Sequence, residues 1–510
     1  MDHTNTAARL LCEAFGRSAG SLSNEAAPFR SALADSLNNP RTPYWSPLVA
    51  VEANRPVLLH LAMFLTSQET DAYSASGQAL LQLLADAGHV PSMCARGQLL
   101  ISGGRGDAYV SAGVELLQKA HVAGSDEAGI LLAGCYMDGT GVPKNVGQAY
   151  DMLRQSQGHP EAQYRLGCGY ISGEVATDYK QGISLLQTAA ARGHAGACYE
   201  LGNILFAATD KSSSCSDALV TVAKSQVMEG PVALWQKAAE AGHPVAQFNL
   251  ACCYRKGILV ERNVTTAMSW ARRAAELGYS RAQFYLGKTL LGSKGDGEDA
   301  TTGVQWLLRA AEDGLAEAQM VLSQCFRLGH GTTQHTPLAL QYLLAAADRG
   351  HPRAQHQLAL EYFSGQNVPR DVEKGMVWLE HSADSGCGQG HRFLSQFYFT
   401  GSGKLKDEEM AFKHALLGAE LGEKVCMHNV AYLFANGVGV EKNEEQARLW
   451  AERAAAPTKP IEAVPSNFVT ADCFHVNNGP HDLLVHKHVV EDVAMPDVAL
   501  STTPATSAAL

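Results

Sequence analysis

Apolar residues recur along most of the chain with the spacing of amphipathic helices. After Gly278, the residues Ala282, Leu286 and Leu290 stand four residues apart, which places them on one side of a helix. A short polar turn follows, and a second helical pattern then begins. Its apolar residues are Val304, Leu307 and Leu308. The pattern therefore predicts two consecutive helices with apolar sides that need a partner.

This two-helix pattern is repeated along the chain. Ten glycines, which we call the anchors, precede the copies at intervals of 34 to 36 residues, apart from one interval of 49. Five consecutive intervals are 36 residues long, which chance does not produce. We interpret the long interval as one copy with an insertion of about 13 residues around Cys215. The anchors are Gly88, Gly124, Gly158, Gly193, Gly242, Gly278, Gly314, Gly350, Gly386 and Gly422.

Fixed positions within each copy have structural explanations. Counting from the anchor, position 15 is usually glycine, which can end a helix with a positive φ. Position 28 is tryptophan in four copies, and we expect these rings in the core. They are Trp270, Trp306, Trp378 and Trp450. Since one helix pair cannot bury its own apolar side, the copies must stack. The sequence therefore predicts an all-α fold of the α-solenoid type.

The consensus itself resembles a known family. It reads Ala-x-x-x-Leu-Gly-x-x-Tyr-x-x-Gly-x-x-Val, then Ala-x-x-Trp-x-x-x-Ala-Ala-x-x-Gly, and is similar to the Sel-1-like repeat, a relative of the tetratricopeptide repeat. The match covers residues 88–455 and is clearest at Ala354, Leu358, Tyr362, Gly365, Val368, Trp378 and Gly386. The resemblance implies a right-handed superhelix of about ten to eleven antiparallel helix pairs. It also implies a scaffold or adaptor whose concave face binds a protein or peptide.

The remainder of the chain divides around this array. We expect residues 1–52 to be largely irregular and residues 53–87 to form a degenerate first helix pair that caps the array. The insertion lies near residues 208–229. Residues 456–510, rich in Pro, Ser, Thr and Ala, are expected to form a mostly disordered tail, with a possible short docking element at 481–493.

Composition and charge narrow the function. Apolar residues make up 46% of the chain, which excludes disorder as the dominant state, and the net charge of −11 disfavours a nucleic-acid ligand. No apolar run is long enough to suggest membrane insertion. Without a secretory signal pattern, the 12 cysteines fit a cytoplasmic protein. Arg9 and Arg17 leave mitochondrial import as a minor alternative, against which Asp2 and Glu13 argue.

No convergent set of catalytic or metal-binding residues is visible in the sequence, so we expect no enzyme activity, no cofactor and no metal. Five histidines follow anchors and are expected to stabilise turns: His89, His159, His194, His243 and His351. In the tail, His481, His486 and His488 lie near Cys473, but their irregular spacing argues against zinc.

Positions 3, 7, 10 and 14 of each first helix vary between copies, so they are free to recognise a partner. We hypothesise that they clamp an extended peptide, with Asn and Gln bonding its backbone and Arg and Lys its carboxylates. The candidates are Asn249, Lys256, Arg281, Tyr285, Lys288, Arg353, Gln357 and Phe393. A solvated helix face is the alternative for these residues. For the whole chain, the alternative is a regulatory subunit or activator of an enzyme or of a membrane quality-control complex.

Overall fold

The computed structural model describes residues 27–38, 45–67, 71–103, 106–174, 176–207, 216–292, 297–401 and 406–455. These residues form helices joined by short turns, and no strand occurs among them. By its contacts the chain divides into two units, which are described separately.

The first unit contains the described residues up to His194, together with Thr221–Gln226. From α3 onward its helices form successive antiparallel pairs, α3–α4, α5–α6, α7–α8 and α9–α10. A 3-10 turn, Glu52–Asn54, precedes α3. The helices are α1 (Ala27–Asn38), α2 (Ser46–Val49), α3 (Arg55–Thr66), α4 (Asp71–Asp86), α5 (Val90–Ser102), α6 (Asp107–Val122), α7 (Asp126–Asp138), α8 (Val146–Gln155), α9 (Pro160–Ser172) and α10 (Tyr179–Ala191).

The second unit contains residues 195–220 and the described residues from Val227 onward. Its helices are α11 (Ala195–Ala207), α12 (Asp217–Gln226, shared with the first unit), α13 (Pro231–Glu240), α14 (Pro244–Lys256), α15 (Val264–Glu276), α16 (Ser280–Gly292), α17 (Gly297–Glu312), α18 (Ala316–Leu328), α19 (Thr336–Asp348), α20 (Pro352–Ser364), α21 (Val372–Asp384), α22 (Gly388–Thr400), α23 (Glu408–Glu420), α24 (Lys424–Asn436) and α25 (Glu444–Ala455). Helix α11 pairs with α13, and every later helix from α14 pairs with its neighbour. The predicted all-α solenoid is confirmed.

Glycine ends the first helices as predicted. Gly103 has φ −77°, but the other seven position-15 glycines have φ between 68° and 80°, a conformation that costs a residue with a Cβ about 1–2 kcal/mol. They are Gly139, Gly173, Gly257, Gly329, Gly365, Gly401 and Gly437.

Three of the post-anchor histidines also act as predicted. His159, His243 and His351 each accept a bond at Nδ1, at 3.2 Å, from a backbone N–H in the first turn of the helix that follows.

Buried apolar residues pack across neighbouring helix pairs. One cluster joins Phe248 of α14, Ala271 of α15 and Leu286 of α16, with Trp306 of α17 packed against it.

The tryptophans at position 28 are less buried than expected. Trp450 is buried, but Trp270, Trp306 and Trp378 are half-buried. An arginine lies over two of these half-buried rings and over buried Trp450; Arg309, for example, is 4.8 Å from the ring centroid of Trp306.

Part of the amino-terminal region expected to be irregular is helical. Leu33 of α1 and Trp45, just before α2, are almost fully buried against Leu58 and Leu61 of α3. Their burial explains why this segment is ordered. Residues 1–26, Cys215 and the tail 456–510, including the docking element 481–493, lie outside the described residues. No helix in the described part of the chain has both the length and the apolar character needed to cross a membrane.

Candidate partner-binding face

All eight candidate residues lie on first helices of the second unit. They occupy α14, α16, α20 and α22, at positions 3, 7, 10 and 14 after their anchors. We call the surface formed by these four positions the first-helix face. The candidates can act together only if neighbouring first helices are aligned.

Ring contacts show this alignment. The ring of Phe248, at position 6 of its repeat, contacts the rings of Tyr279 and Tyr285 in the next repeat, with centroids 5.4 and 6.2 Å apart. His356, at position 6 of a later repeat, contacts Phe393 in the same way, at 5.2 Å. Position 6 of one helix therefore meets position 7 of the next, which sets neighbouring first helices in register.

Tyr285 is the most firmly held candidate. Its half-buried ring packs edge-on against Phe248, and the guanidinium of Arg255 lies 5.3 Å from its centroid. Burial raises the pKa of Tyr285, and the positive charge of Arg255 opposes that rise. A ring fixed in this way loses little entropy when a partner packs on it, which suits it to be an anchor.

Asn249 is buried rather than exposed. It is 4% exposed, and its Nδ2 is buried with no hydrogen-bond partner. Its sequence neighbours Phe248 and Leu250 are each 1% exposed, so this part of α14 is covered. The side-chain amide of Asn249 would have to shift before it could form a hydrogen bond with a peptide. The sequence pattern did not reveal that Asn249 is buried.

The exposed candidates are cationic. Lys256, Lys288 and Arg353 are exposed, and among the described residues no carboxylate forms an ion pair with any of them. The Nζ atom of Lys288 lies 5.9 Å from the ring centroid of Phe284. Arg281 is half-buried and interacts within the protein.

Two further candidates are only partly accessible. Gln357 is half-buried, one helical turn after Arg353 on α20. Phe393 is half-buried on α22, between the ring of His356 and the guanidinium of Arg392, which lies 4.7 Å from its centroid. The face thus combines fixed aromatic rings with exposed positive charge.

A recurring glutamine has a structural role that the sequence analysis missed. The position-5 glutamine of four repeats donates from Nε2 to the carbonyl eight residues earlier, near the end of the preceding second helix. The pairs are Gln247–Ala239 (2.9 Å), Gln283–Ala275 (3.2 Å), Gln319–Ala311 (3.3 Å) and Gln355–Ala347 (3.2 Å). In the sequence, the recurrence of glutamine at position 5 was the one feature that could have indicated this structural role. Because these side chains are buried, they hold repeats together and do not face a partner.

In the first unit, two polar residues of the equivalent face neutralise each other. Arg165, 7% exposed, donates from Nε to Glu161 at 2.6 Å, and His194 Nε2 lies 2.8 Å from the other carboxylate oxygen. Burial favours the neutral acid, but the bond to His194 and the charge of Arg165 outweigh it and lower the pKa of Glu161 to about 2. His194 therefore joins a network of hydrogen bonds around the Glu161 carboxylate.

Glu200 on α11 is a second unusual carboxyl group. Burial raises its pKa to about 7, although a hydrogen bond with Asn203 opposes that rise. The Oδ1 atom of Asn203 in turn accepts from the indole N–H of the buried Trp235 at 3.0 Å. Glu200 is therefore partly protonated near neutral pH, and it is a weak candidate for pairing with a basic partner.

Metal-binding and catalytic geometry is not found in the part of the chain that the structure describes. No group of three or more His, Cys, Asp or Glu side chains there could hold a metal ion. Burial raises the pKa of Cys135 and Cys325 to about 11 and that of Cys426 to about 12, so these thiols are poor nucleophiles. The tail histidines and Cys473 lie outside the described residues. The described side chains at the first-helix face are of the kinds that bind a partner through charge and ring contacts.

Stacked helix pairs with a variable face define an α-solenoid repeat protein. The chain belongs to the Sel1 repeat family, whose members are generally non-catalytic scaffolds for protein interactions. The family model matches more than half of the chain, at residues 127–156, 160–194, 232–243, 244–279, 280–315, 316–351, 352–387, 389–423 and 424–456.

The chain is also similar to several solved structures. A protective antigen present in uropathogenic Escherichia coli strains has a TM-score of 0.51 and 24% identity, covering 80% of this chain and 86% of its own. A Sel1 repeat protein from Oxalobacter formigenes has a TM-score of 0.39 and 20% identity, with coverages of 79% and 90%. An immunity protein from Pseudomonas aeruginosa has a TM-score of 0.30 and 22% identity, with coverages of 45% and 82%. No curated protein matches the chain.

Proposed function

We propose that this chain is a non-enzymatic scaffold or adaptor that binds an extended, acidic segment of a partner on the first-helix face of its second unit. The rings of Tyr285 and Phe393 anchor apolar side chains of the segment. Lys256, Lys288 and Arg353 bind its carboxylates, while Arg281, Gln357 and, after a side-chain shift, Asn249 bond its backbone.

One observation carries this proposal. Three exposed cations without an internal ion pair lie on the same face as aromatic rings that are already fixed by their neighbours. Aromatic anchors beside exposed charge are typical of surfaces where few residues supply most of the binding energy. On a chain with a net charge of −11, this local positive charge favours acidic segments over basic ones.

The test is a selection of random phage-displayed peptides on the intact chain. We expect the selected peptides to be enriched in Asp and Glu beside an apolar residue. Their binding should weaken at least about tenfold in the variant Lys256→Glu, Lys288→Glu, Arg353→Glu, and also as salt is raised.

A matched control reverses three exposed cations outside this face: Arg272, Arg370 and Lys413. Both triple variants have the same net charge, so only the position of the charge differs. The proposal would be wrong if the wild type and the first variant bound the selected peptides equally well. It would also be wrong if binding weakened equally in both triple variants. Selection of no peptide at all would count against the binding function itself.

We also propose that the protein works in the cytoplasm. Free thiols in the described residues support a reducing compartment, where disulfides are rare: Cys94, Cys135, Cys325, Cys387 and Cys426. Imaging of the tagged full-length chain tests this, and a mitochondrial pattern would favour the alternative address.

A further inference from the structure

One repeat has histidine at two consensus positions at once. In the repeat of α22 and α23, position 5 is His391, where five other repeats have glutamine, and position 28 is His414, where four others have tryptophan. The two positions are 23 residues apart in sequence and lie on different helices. The fold brings these two substitutions together.

The two imidazoles are in direct contact. Their Nδ1 atoms are 3.1 Å apart, and His391 is 8% exposed. His414 is half-buried, and its ring is stacked on that of Tyr398, with centroids 5.6 Å apart. Two nitrogens at this distance share one proton, which one ring donates and the other accepts.

Both burial and nearby polar groups act on the pair. Burial lowers the pKa of His391, while Asp384 and a bond from the ring to the backbone of Ala383 act in the opposite direction. Gly418 on α23 has no Cβ, which leaves room for Cys426 and for the Cβ of His391 to pack against that helix. Among the described residues, the titratable and charged groups near the pair include Asp384, Tyr398 and Cys426, and Arg392 and Glu423 lie close to Cys426.

We propose that the His391–His414 pair is an acid-sensitive joint that holds α22 against α23 at neutral pH and releases them in acid. The pair can take up one added proton and keep a single N–H between the rings. A second proton places two N–H groups and two positive charges face to face, in a site where His391 has almost no access to water. Separation of the helices relieves this conflict.

The direction of the effect follows from proton linkage. His391 protonates less readily in the folded pair than in an unfolded or opened chain, where the pKa of histidine is about 6.5. The opened state therefore binds more protons below that pH, and the stabilisation present above about pH 6.5 is lost as the pH falls. The joint acts on this repeat whether or not the first-helix face has a partner.

Hydrogen exchange of the full-length chain between pH 7.5 and 5.0 tests the joint, with EDTA present so that metal binding cannot contribute. The informative variant is His391→Gln with His414→Trp, which restores the residues of the other repeats. The matched control is His428→Gln, which removes an exposed histidine from the next first helix. Circular dichroism at pH 7.5 verifies that the variants fold.

In the wild type and the control, we expect the opening constant of peptides in residues 388–420 to rise by up to about tenfold per pH unit below pH 6.5, after correction for intrinsic exchange. In the double variant, this rise should be absent. The same pH dependence in the wild type and the double variant would overturn the proposal. If the double variant does not fold, His391→Gln alone serves, because glutamine at position 5 fits the other repeats and removes the conflict.

Discussion

The half-buried carboxylate Glu161 allows a direct test of how charge stabilises the first unit. Its partner Arg165 is 7% exposed and also bonds the carbonyl of Ile130 at 3.3 Å, so the guanidinium has little access to water. Glu161→Gln keeps the size of the side chain but removes the negative charge. Arg165 is then a buried cation without a counter-charge, the arrangement that usually costs most when an ion pair is broken.

The magnitude follows from the pKa. The pKa of Glu161 falls from 4.5 to about 2, and each unit corresponds to about 1.4 kcal/mol, so the charged form contributes about 3 kcal/mol. Since the folded pKa is lowered, this contribution is present above about pH 4.5 and is lost as the pH falls toward 2.

Hydrogen exchange in α9 is the suitable assay, because an array of repeats need not unfold in one step. At pH 7, Glu161→Gln should lower the opening free energy of α9 by about 3 kcal/mol. The double variant Glu161→Gln with Arg165→Met should recover much of that loss, because no buried charge remains. A loss below about 0.5 kcal/mol in the single variant would refute the reasoning. So would parallel pH profiles of the wild type and the single variant below pH 5.

Two further predictions concern the second unit. Trp235→Ala should cost about 3–5 kcal/mol because Trp235 is 1% exposed and bonded to Asn203, whereas Trp306→Ala should cost less because that ring is half-buried. Equal shifts of the melting midpoint in the two variants would contradict this. Glu200→Gln should stabilise the protein above pH 7, by at most about 3 kcal/mol, and should have little effect near pH 4.5, because the raised pKa favours the neutral acid. Urea unfolding at pH 5 and 8 measures this, and a difference independent of pH would show that the carboxyl is not desolvated.

The repeat architecture was readable in the sequence because its signals are local. Helices and their ends depend on residues within a turn or two, as the left-handed glycines at position 15 and the Nδ1 caps of His243 and His351 show. A period of 36 residues then implies stacking, since no single pair can bury its apolar side. The Sel-1-like fold followed from these features.

The candidate site was only partly predictable. The helices that form the site and the repeat positions that line it were predicted. The repeat pattern, however, cannot tell a buried residue at position 7 from an exposed one. The structure distinguishes them, with Asn249 enclosed and Tyr285 held between Phe248 and Arg255. Exposure depends on the side chains of the neighbouring repeat, which a single-helix pattern does not contain.

Pairings between distant positions required the fold. Glutamine at position 5 was visible in the sequence, but not the carbonyl it bonds on the preceding helix. Likewise, His391 and His414 each look like a lone departure from consensus until α22 packs on α23. The sequence alone determined the helices, their ends and the repeat, since these depend on short-range backbone and side-chain preferences. Tertiary packing decided burial, pKa shifts and the groups that meet, because these depend on atoms distant along the chain.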